Sequence, residues 1–298
     1  MTGSDDMARR TILRRVLAMG AIGLTIGARS RSQATPKPSP DTALRWGIDY
    51  GATTDPALAR ACALLVLEPH HARPIAPLRG PGSILLGYVS FGEVERSRPY
   101  FAALDKAGAL NAANPNWPDA RLADLRHPAW RAAVLDRLIP AILALGYDGI
   151  FIDTMDNAEA MERQDPVANT GMVAAGATLI AAVRARFPKI RIMLNRGYAL
   201  LPDVAPKIDY LLGEAMASRW NFAAKRYELL SESDWAWQAA RLRAARARNP
   251  ALALMTLDYW NPADTTQIAA LYARERAAGF SPYVATLALD RLMPEPTG

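Results

Sequence analysis

A single cysteine, Cys62, stands in a chain of 298 residues, so an internal disulfide is excluded and a thiolate metal cluster cannot be built. Stability must come from packing, and Cys62, which opens an apolar run, reads as a small buried residue. Histidine is almost as scarce. His70, His71 and His127 complete the set. None belongs to an HExxH pattern, and His70-His71 reads as a solvated loop pair rather than as ligands. There is no G-x-S-x-G elbow, and no glycine-rich phosphate fingerprint follows the first strand-like run, so zincin, serine-hydrolase and dinucleotide chemistry lack their residues. No cofactor and no dedicated metal site are expected.

A basic stripe is also missing. The formal net charge is +6, but the first 34 residues hold six Arg against two Asp, and the remainder carries 29 basic and 27 acidic side chains. That balance argues against a nucleic-acid partner, which needs clustered positive charge. Nor is there an apolar run of membrane-spanning length. The uncharged stretch from Val16 to Ala28 is shorter than the roughly 20 residues a helical span requires. It follows Arg9-Arg10 and Thr11-Ile12-Leu13, and it precedes the small-x-small triplet Ser32-Gln33-Ala34. Residues 1–34 therefore read as a cleaved export signal, with the twin-arginine route favoured over Sec and an uncleaved amino-terminal anchor as the alternative. No Cys lies near the cleavage point to carry a lipid. The expectation is a periplasmic or extracellular protein with no stable membrane insertion after cleavage. Residues 35–44, which include TPKPSPD, form a linker, and residues 45–298 a single domain.

What the chain does have is a series of short apolar runs that end in acids. Strands are expected at 45–50, 63–68, 84–91, 148–153, 190–195, 209–214, 252–258 and 283–289. Several are continuous in Val, Ile and Leu, as in a parallel sheet covered by helices. Helices are expected at 128–145, starting at Pro128 and stopping at Gly146, and at 167–187, 233–248 and 262–278. Eight strands alternating with helices predict an α/β (β/α)₈ TIM barrel over an open doubly wound sheet. The passage from Glu93 to Arg126, with Tyr100, Phe101 and Trp117, is too long for an ordinary connection and is expected in the cleft wall.

Five runs close on a carboxylate: WGIDYG on Asp49, ILLGYVSFGE on Glu93, GYDGIFIDTMD on Asp153 with Asp156 three residues on, YLLGEAM on Glu214 and LALMTLDYW on Asp258. A barrel enzyme gathers its site at the carboxyl ends of its strands. Two such acids are what glycoside hydrolysis needs, one to protonate the leaving oxygen and one to attack the anomeric carbon or activate water. Asp153 and Glu214 are the leading pair, expected on opposite walls of the barrel mouth. The alternative for either acid is a helix cap or an ion pair with Arg196. Asp156 could bind a sugar hydroxyl, raise a neighbouring carboxyl pKa, cap a helix, or share Mg²⁺ or Ca²⁺ with Asp153 in a metal-dependent hydrolase. Glu93, near Tyr88, suits substrate contact or a structural ion pair. Asp49-Tyr50 and Asp258-Tyr259 set an acid beside a ring, a combination able to grip a sugar, with packing as the alternative. Asn195-Arg196 supplies donors that could keep a carboxylate ionised.

On these residues the chain resembles the endo-α-1,4-polygalactosaminidase family of glycoside hydrolases. The likeness runs from WGIDYG to the last strand and is most specific in GYVSFGEVERSRPYF, in NPNWPDARLADLRHPAWRAAVLDRLIPAILALGYDGIFIDTMD, and in MLNRGY and LLGEAM. It implies a (β/α)₈ fold and cleavage within α-1,4-linked galactosamine-rich polysaccharide, with Asp153 as nucleophile or base and Glu214 as general acid. Relatives often carry an aromatic residue shortly after the second acid of the DxxD pattern, where this chain has Asn157-Ala158. The substrate therefore need not be polygalactosamine, although a cationic polymer suits an acidic cleft. A catalytically silent barrel that binds polysaccharide during export or assembly is the competing reading.

Overall fold

The computed structural model describes residues 44–71, 73–114 and 117–296; the stretches read as an export signal and, nearly all of it, as a linker lie outside the described residues. Thirteen strands are numbered in chain order, and eight of them form one parallel sheet. These are β1 (Trp46–Asp49), β2 (Leu64–Leu67), β3 (Ile84–Ser90), β7 (Gly149–Asp153), β8 (Arg191–Asn195), β9 (Tyr210–Glu214), β12 (Ala253–Tyr259) and β13 (Ser281–Ala285), neighbours in that order. The two ends meet: the Trp46 indole N–H donates to the Ser281 carbonyl at 2.9 Å, and the Tyr50 amide to the Leu289 carbonyl at 2.7 Å. The result is the nearly closed (β/α)₈ barrel that the alternation predicts. Both faces of these strands are buried. β2, Leu-Leu-Val-Leu, has no exposed surface at all, which is why its pattern is continuous rather than alternating.

Local chemistry sets the outer helices, of which α1 (Pro56–Arg60), α2 (Phe101–Lys106) and α7 (Leu201–Val204) are short. His127 accepts the Ala129 amide as a cap and Pro128 opens α3 (Pro128–Ala133), continued through a π turn, Val134–Leu138, into α4 (Ile139–Ala144). The widened turn lies just ahead of Pro140, which has no N–H to return to the preceding turn. Gly146, at φ 93°, ends the rod. α6 (Met172–Arg186) starts five residues later than expected, because Asp165 takes the Val167 and Ala168 amides into a turn and Gly171 adopts φ 85°. α8 (Glu232–Arg248) and α9 (Thr265–Ala277) are capped by Ser231 and Asp264. The eighth barrel strand is displaced: it begins at Ser281-Pro282 and ends before Thr286, so residues 286–289 form a loop.

Two insertions stand at the carboxyl ends of barrel strands. After β3, the antiparallel strands β4 (Glu93–Glu95), β5 (Leu110–Asn114) and β6 (Trp117–Ala123) make a three-stranded sheet in the order β4-β6-β5, occupying the long passage assigned to the cleft wall. After β9, strands β10 (Ser218–Asn221) and β11 (Arg226–Leu229) form a hairpin. The sequence pattern predicts neither sheet.

Candidate active site

Asp153, Asn195 and Glu214 are the last residues of β7, β8 and β9, three adjacent strands. The two acids are therefore not on opposite walls: they flank a single strand, and its terminal amide lies between them. Asn195 Nδ2 donates to Asp153 Oδ1 at 3.0 Å and to Glu214 Oε2 at 2.6 Å. Two bonds of these lengths from one nitrogen keep those two oxygens no more than about 5.6 Å apart, short of the roughly 6.5–9.5 Å at which inverting glycosidases hold their carboxyl groups. Asp153 accepts two further bonds, from the Thr154 amide at 2.7 Å and the Tyr88 hydroxyl at 3.1 Å. In all three contacts it acts as an acceptor, the role of an ionised carboxylate. Glu214 accepts the Tyr259 hydroxyl at 2.7 Å. Burial, and then the charge of Asp153, push the Glu214 pKa up to about 7, so near neutrality this carboxyl holds a proton it can give away.

Each of the three residues is followed by a non-glycine residue in the left-handed region: Thr154 at φ 72°, Arg196 at 49° and Ala215 at 53°. Such backbone costs about 1–3 kcal/mol per residue and gathers at functional sites. Here it turns the chain sharply off the strand, leaving Asp153, Asn195 and Glu214 at the rim. The first turn is held by Thr154 Oγ1, which accepts the Gly92 amide at 2.6 Å. A Cβ on Gly92 would lie 2.1 Å from the Thr154 carbonyl oxygen, so only glycine fits there.

Successive strand residues face opposite sides, and this separates the two Asp-Tyr pairs. Tyr259 reaches Glu214, and the Tyr50 ring packs edge-on against Tyr88 at 5.0 Å, with burial and the charges of Asp153 and Glu214 raising its pKa. Asp49 and Asp258 instead brace loops. Asp49 accepts the Gly51 amide at 2.8 Å, and Asp258 accepts the amides of Ala217 and Ser218 at 2.8 and 2.7 Å. Sugar contact by these two acids is corrected accordingly: both are buried, and each has one oxygen held by backbone amides of a loop. Asp156, at the start of α5 (Asp156–Gln164), accepts the Gly197 amide at 2.8 Å and pairs with Arg196 at 3.4 Å. Arg196 thus pairs directly with Asp156 and reaches Glu214 only through its charge, which favours the ionised form of that acid. A metal shared by Asp153 and Asp156 loses its second ligand, and among the described residues no three His, Cys, Asp or Glu side chains are grouped to hold a metal ion. Glu93 is buried and accepts Asn114 Nδ2 at 2.7 Å and Asn157 Nδ2 at 3.3 Å. Asn157 thus ties α5 to the inserted sheet. Of the His70-His71 pair, His70 is exposed and His71 is half-buried, its Nε2 2.9 Å from the Tyr50 carbonyl oxygen.

Behind the site, Asp258 and Glu275 of α9 are both buried, and the charge of Asp258 acts on Glu275. Burial lifts Asp258 to about 6; burial and the charge of Asp258 lift Glu275 to about 8. A carboxyl whose folded pKa is raised stabilises the fold fully below its unfolded value, and that contribution is lost as pH rises through the folded one. The melting temperature of the parent protein is therefore expected to fall between pH 5 and pH 8.5 relative to Glu275→Gln, which keeps a neutral group there. Parallel melting curves would contradict the raised Glu275 carboxyl.

A parallel barrel carrying two hydrogen-bonded acids at the ends of its fourth and sixth strands has the frame of a barrel glycosidase. The chain belongs to that class: the family model of glycoside-hydrolase family GH114 matches residues 27–298, so the protein is a member of this family and a glycosidase. It is similar to the glycoside hydrolase domain of PelA from Pseudomonas aeruginosa, at 28% identity and a TM-score of 0.73 over 84% of this chain and 99% of that one. An uncharacterized protein of Deinococcus radiodurans is 31% identical over 86% of this chain and 85% of its own length. Ega3 from Aspergillus fumigatus, solved in complex with galactosamine, shares the fold at 16% identity and a TM-score of 0.57, covering 89% of this chain and 98% of that one.

Proposed function

We propose that the protein is an exported retaining glycosidase that cuts within α-1,4-linked galactosamine-rich polysaccharide, with Asp153 as nucleophile and Glu214 as acid and base. The observation that carries this reading is the Asn195 amide joining the two acids at short range. In the first step an Asp153 oxygen attacks the anomeric carbon. The glycosidic C–O bond breaks, and its electron pair goes to the leaving oxygen, which takes the Glu214 proton. In the second step Glu214 removes a proton from water, the water oxygen attacks the same carbon, and Asp153 is released. Two displacements restore the α configuration. The amino-sugar substrate is supported by the galactosamine bound to Ega3 and by a mouth in which the negative charge shared by Asp153 and Glu214 suits a cationic polymer. The binding-only reading loses ground because Tyr88, Asn195 and Tyr259 hold both acids in a working arrangement.

Export to the periplasm or beyond rests on Arg9-Arg10, the short apolar stretch and Ser32-Gln33-Ala34. Among the described residues no helix is long and apolar enough to cross a membrane. The test is proton NMR of partially deacetylated α-1,4-galactosamine polymer during digestion. New reducing ends are expected first as the α anomer, with β following by mutarotation. First appearance as β would overturn retention; no new reducing ends would overturn the substrate.

A further inference from the structure

The β10–β11 hairpin leaves β9 four residues after Glu214, and its two faces differ in kind. On one, Arg219 and Glu228 pair across the strands at 2.7 Å, and Asn221 donates to the same carboxylate at 2.8 Å. On the other, Trp220 lies directly opposite Tyr227, ring centroids 4.8 Å apart, and Tyr227 continues to Trp260 at 6.2 Å. Such a ribbon can present one face to water and the other inward. Its aromatic face is turned toward the barrel mouth, because the Tyr227 hydroxyl accepts the amide of Leu287, in the loop that follows β13. The base of the hairpin is fixed to the site: Ser218 Oγ donates to the Tyr259 carbonyl at 3.1 Å, and the Tyr259 hydroxyl donates to Glu214. All three rings remain half-exposed.

We propose that Trp220, Tyr227 and Trp260 form a wall that binds the sugar units on the leaving-group side of the scissile bond. This rests on the reading of Glu214 as the acid, because the group that protonates the leaving oxygen stands beside the departing chain. Ring faces match the apolar face of a pyranose, and they attract an ammonium substituent through the negative charge of the π-system, most strongly at Trp. The wall supplies on the acid side the aromatic surface that Asn157-Ala158 does not supply near the nucleophile. The orientation of Trp260 is set, since its indole N–H donates to Asp264 at 3.0 Å.

The test compares two substrates, galactosamine polymer and an aryl α-galactosaminide whose leaving group is too small to reach the hairpin. Trp220→Ala is expected to lower kcat/KM for the polymer roughly tenfold, the scale of a lost cation–π contact, mostly through KM, and to change the aryl substrate less than twofold. Trp220→Phe keeps a ring and should recover most of the polymer activity, which separates stacking from misfolding. Equal loss on both substrates, or unchanged polymer kinetics in Trp220→Ala, would overturn the wall. A parent protein that hydrolyses the aryl substrate but not the polymer would instead overturn the polymer substrate, and one inactive on both would overturn the assignment of the acids.

Discussion

Glu214→Gln is expected to lower turnover of the galactosamine polymer by at least about a hundredfold, the scale of lost general acid catalysis. The leaving group there is a sugar alkoxide, which departs with difficulty unless it is protonated. A dinitrophenyl glycoside removes that requirement, because its phenolate leaves unaided. With this substrate the variant should release one equivalent of phenolate per enzyme in a fast burst and then stall, since no carboxylate remains to activate water for the second step. The parent should also lose activity on the polymer as pH rises through about 7, where Glu214 gives up the proton that burial and Asp153 make it hold. Equal loss on both substrates, or no stall after the burst, would remove Glu214 from the acid role.

Asp153→Asn has the larger effect. Without a nucleophile neither leaving group can be displaced, so kcat is expected to fall by about three orders of magnitude or more on both substrates with KM little changed. Asn retains an acceptor for the Asn195 and Thr154 donors, so the melting temperature should stay within a few degrees. Asp153→Ala opens room beside the anomeric carbon, and added azide should then give a β-glycosyl azide, the inverted product of a single displacement. An azide product of α configuration, or an Asp153→Asn variant active on the dinitrophenyl glycoside, would exclude the covalent role.

The barrel and its central acids were legible because parallel strands buried on both faces leave unbroken Val, Ile and Leu runs, and because a carboxylate ending such a run has to sit at a rim. Strand alternation was equally legible, yet reading both members of Asp49-Tyr50 and Asp258-Tyr259 as sugar contacts ignores it: neighbours on one strand cannot both face the mouth. Which member turns inward depends on the tilt and closure of the sheet, and no local pattern carries that. The eighth strand was displaced because Pro282 argues against a strand, although Pro is tolerated near a strand start. Thr154, Arg196 and Ala215 gave no warning of left-handed backbone, since Gly or Asn ordinarily marks it. The Asn195 bridge depends on β8 lying between β7 and β9, and the inserted sheets use strands too short and mixed to show a period.

The amide of Asn195 also sets a condition on the whole catalytic cycle. On the proposed mechanism, the negative charge before reaction belongs to Asp153 and the proton to Glu214. In the glycosyl-enzyme Asp153 is a neutral ester and Glu214 carries the charge. The pair holds one unit of negative charge in both states, and Asn195 offers a hydrogen to each end of its path. A dipole already aimed at both positions need not reorient when the charge crosses. On that mechanism the net charge of the pair stays constant from substrate to glycosyl-enzyme, and no counterion has to enter or leave as the bond is cut.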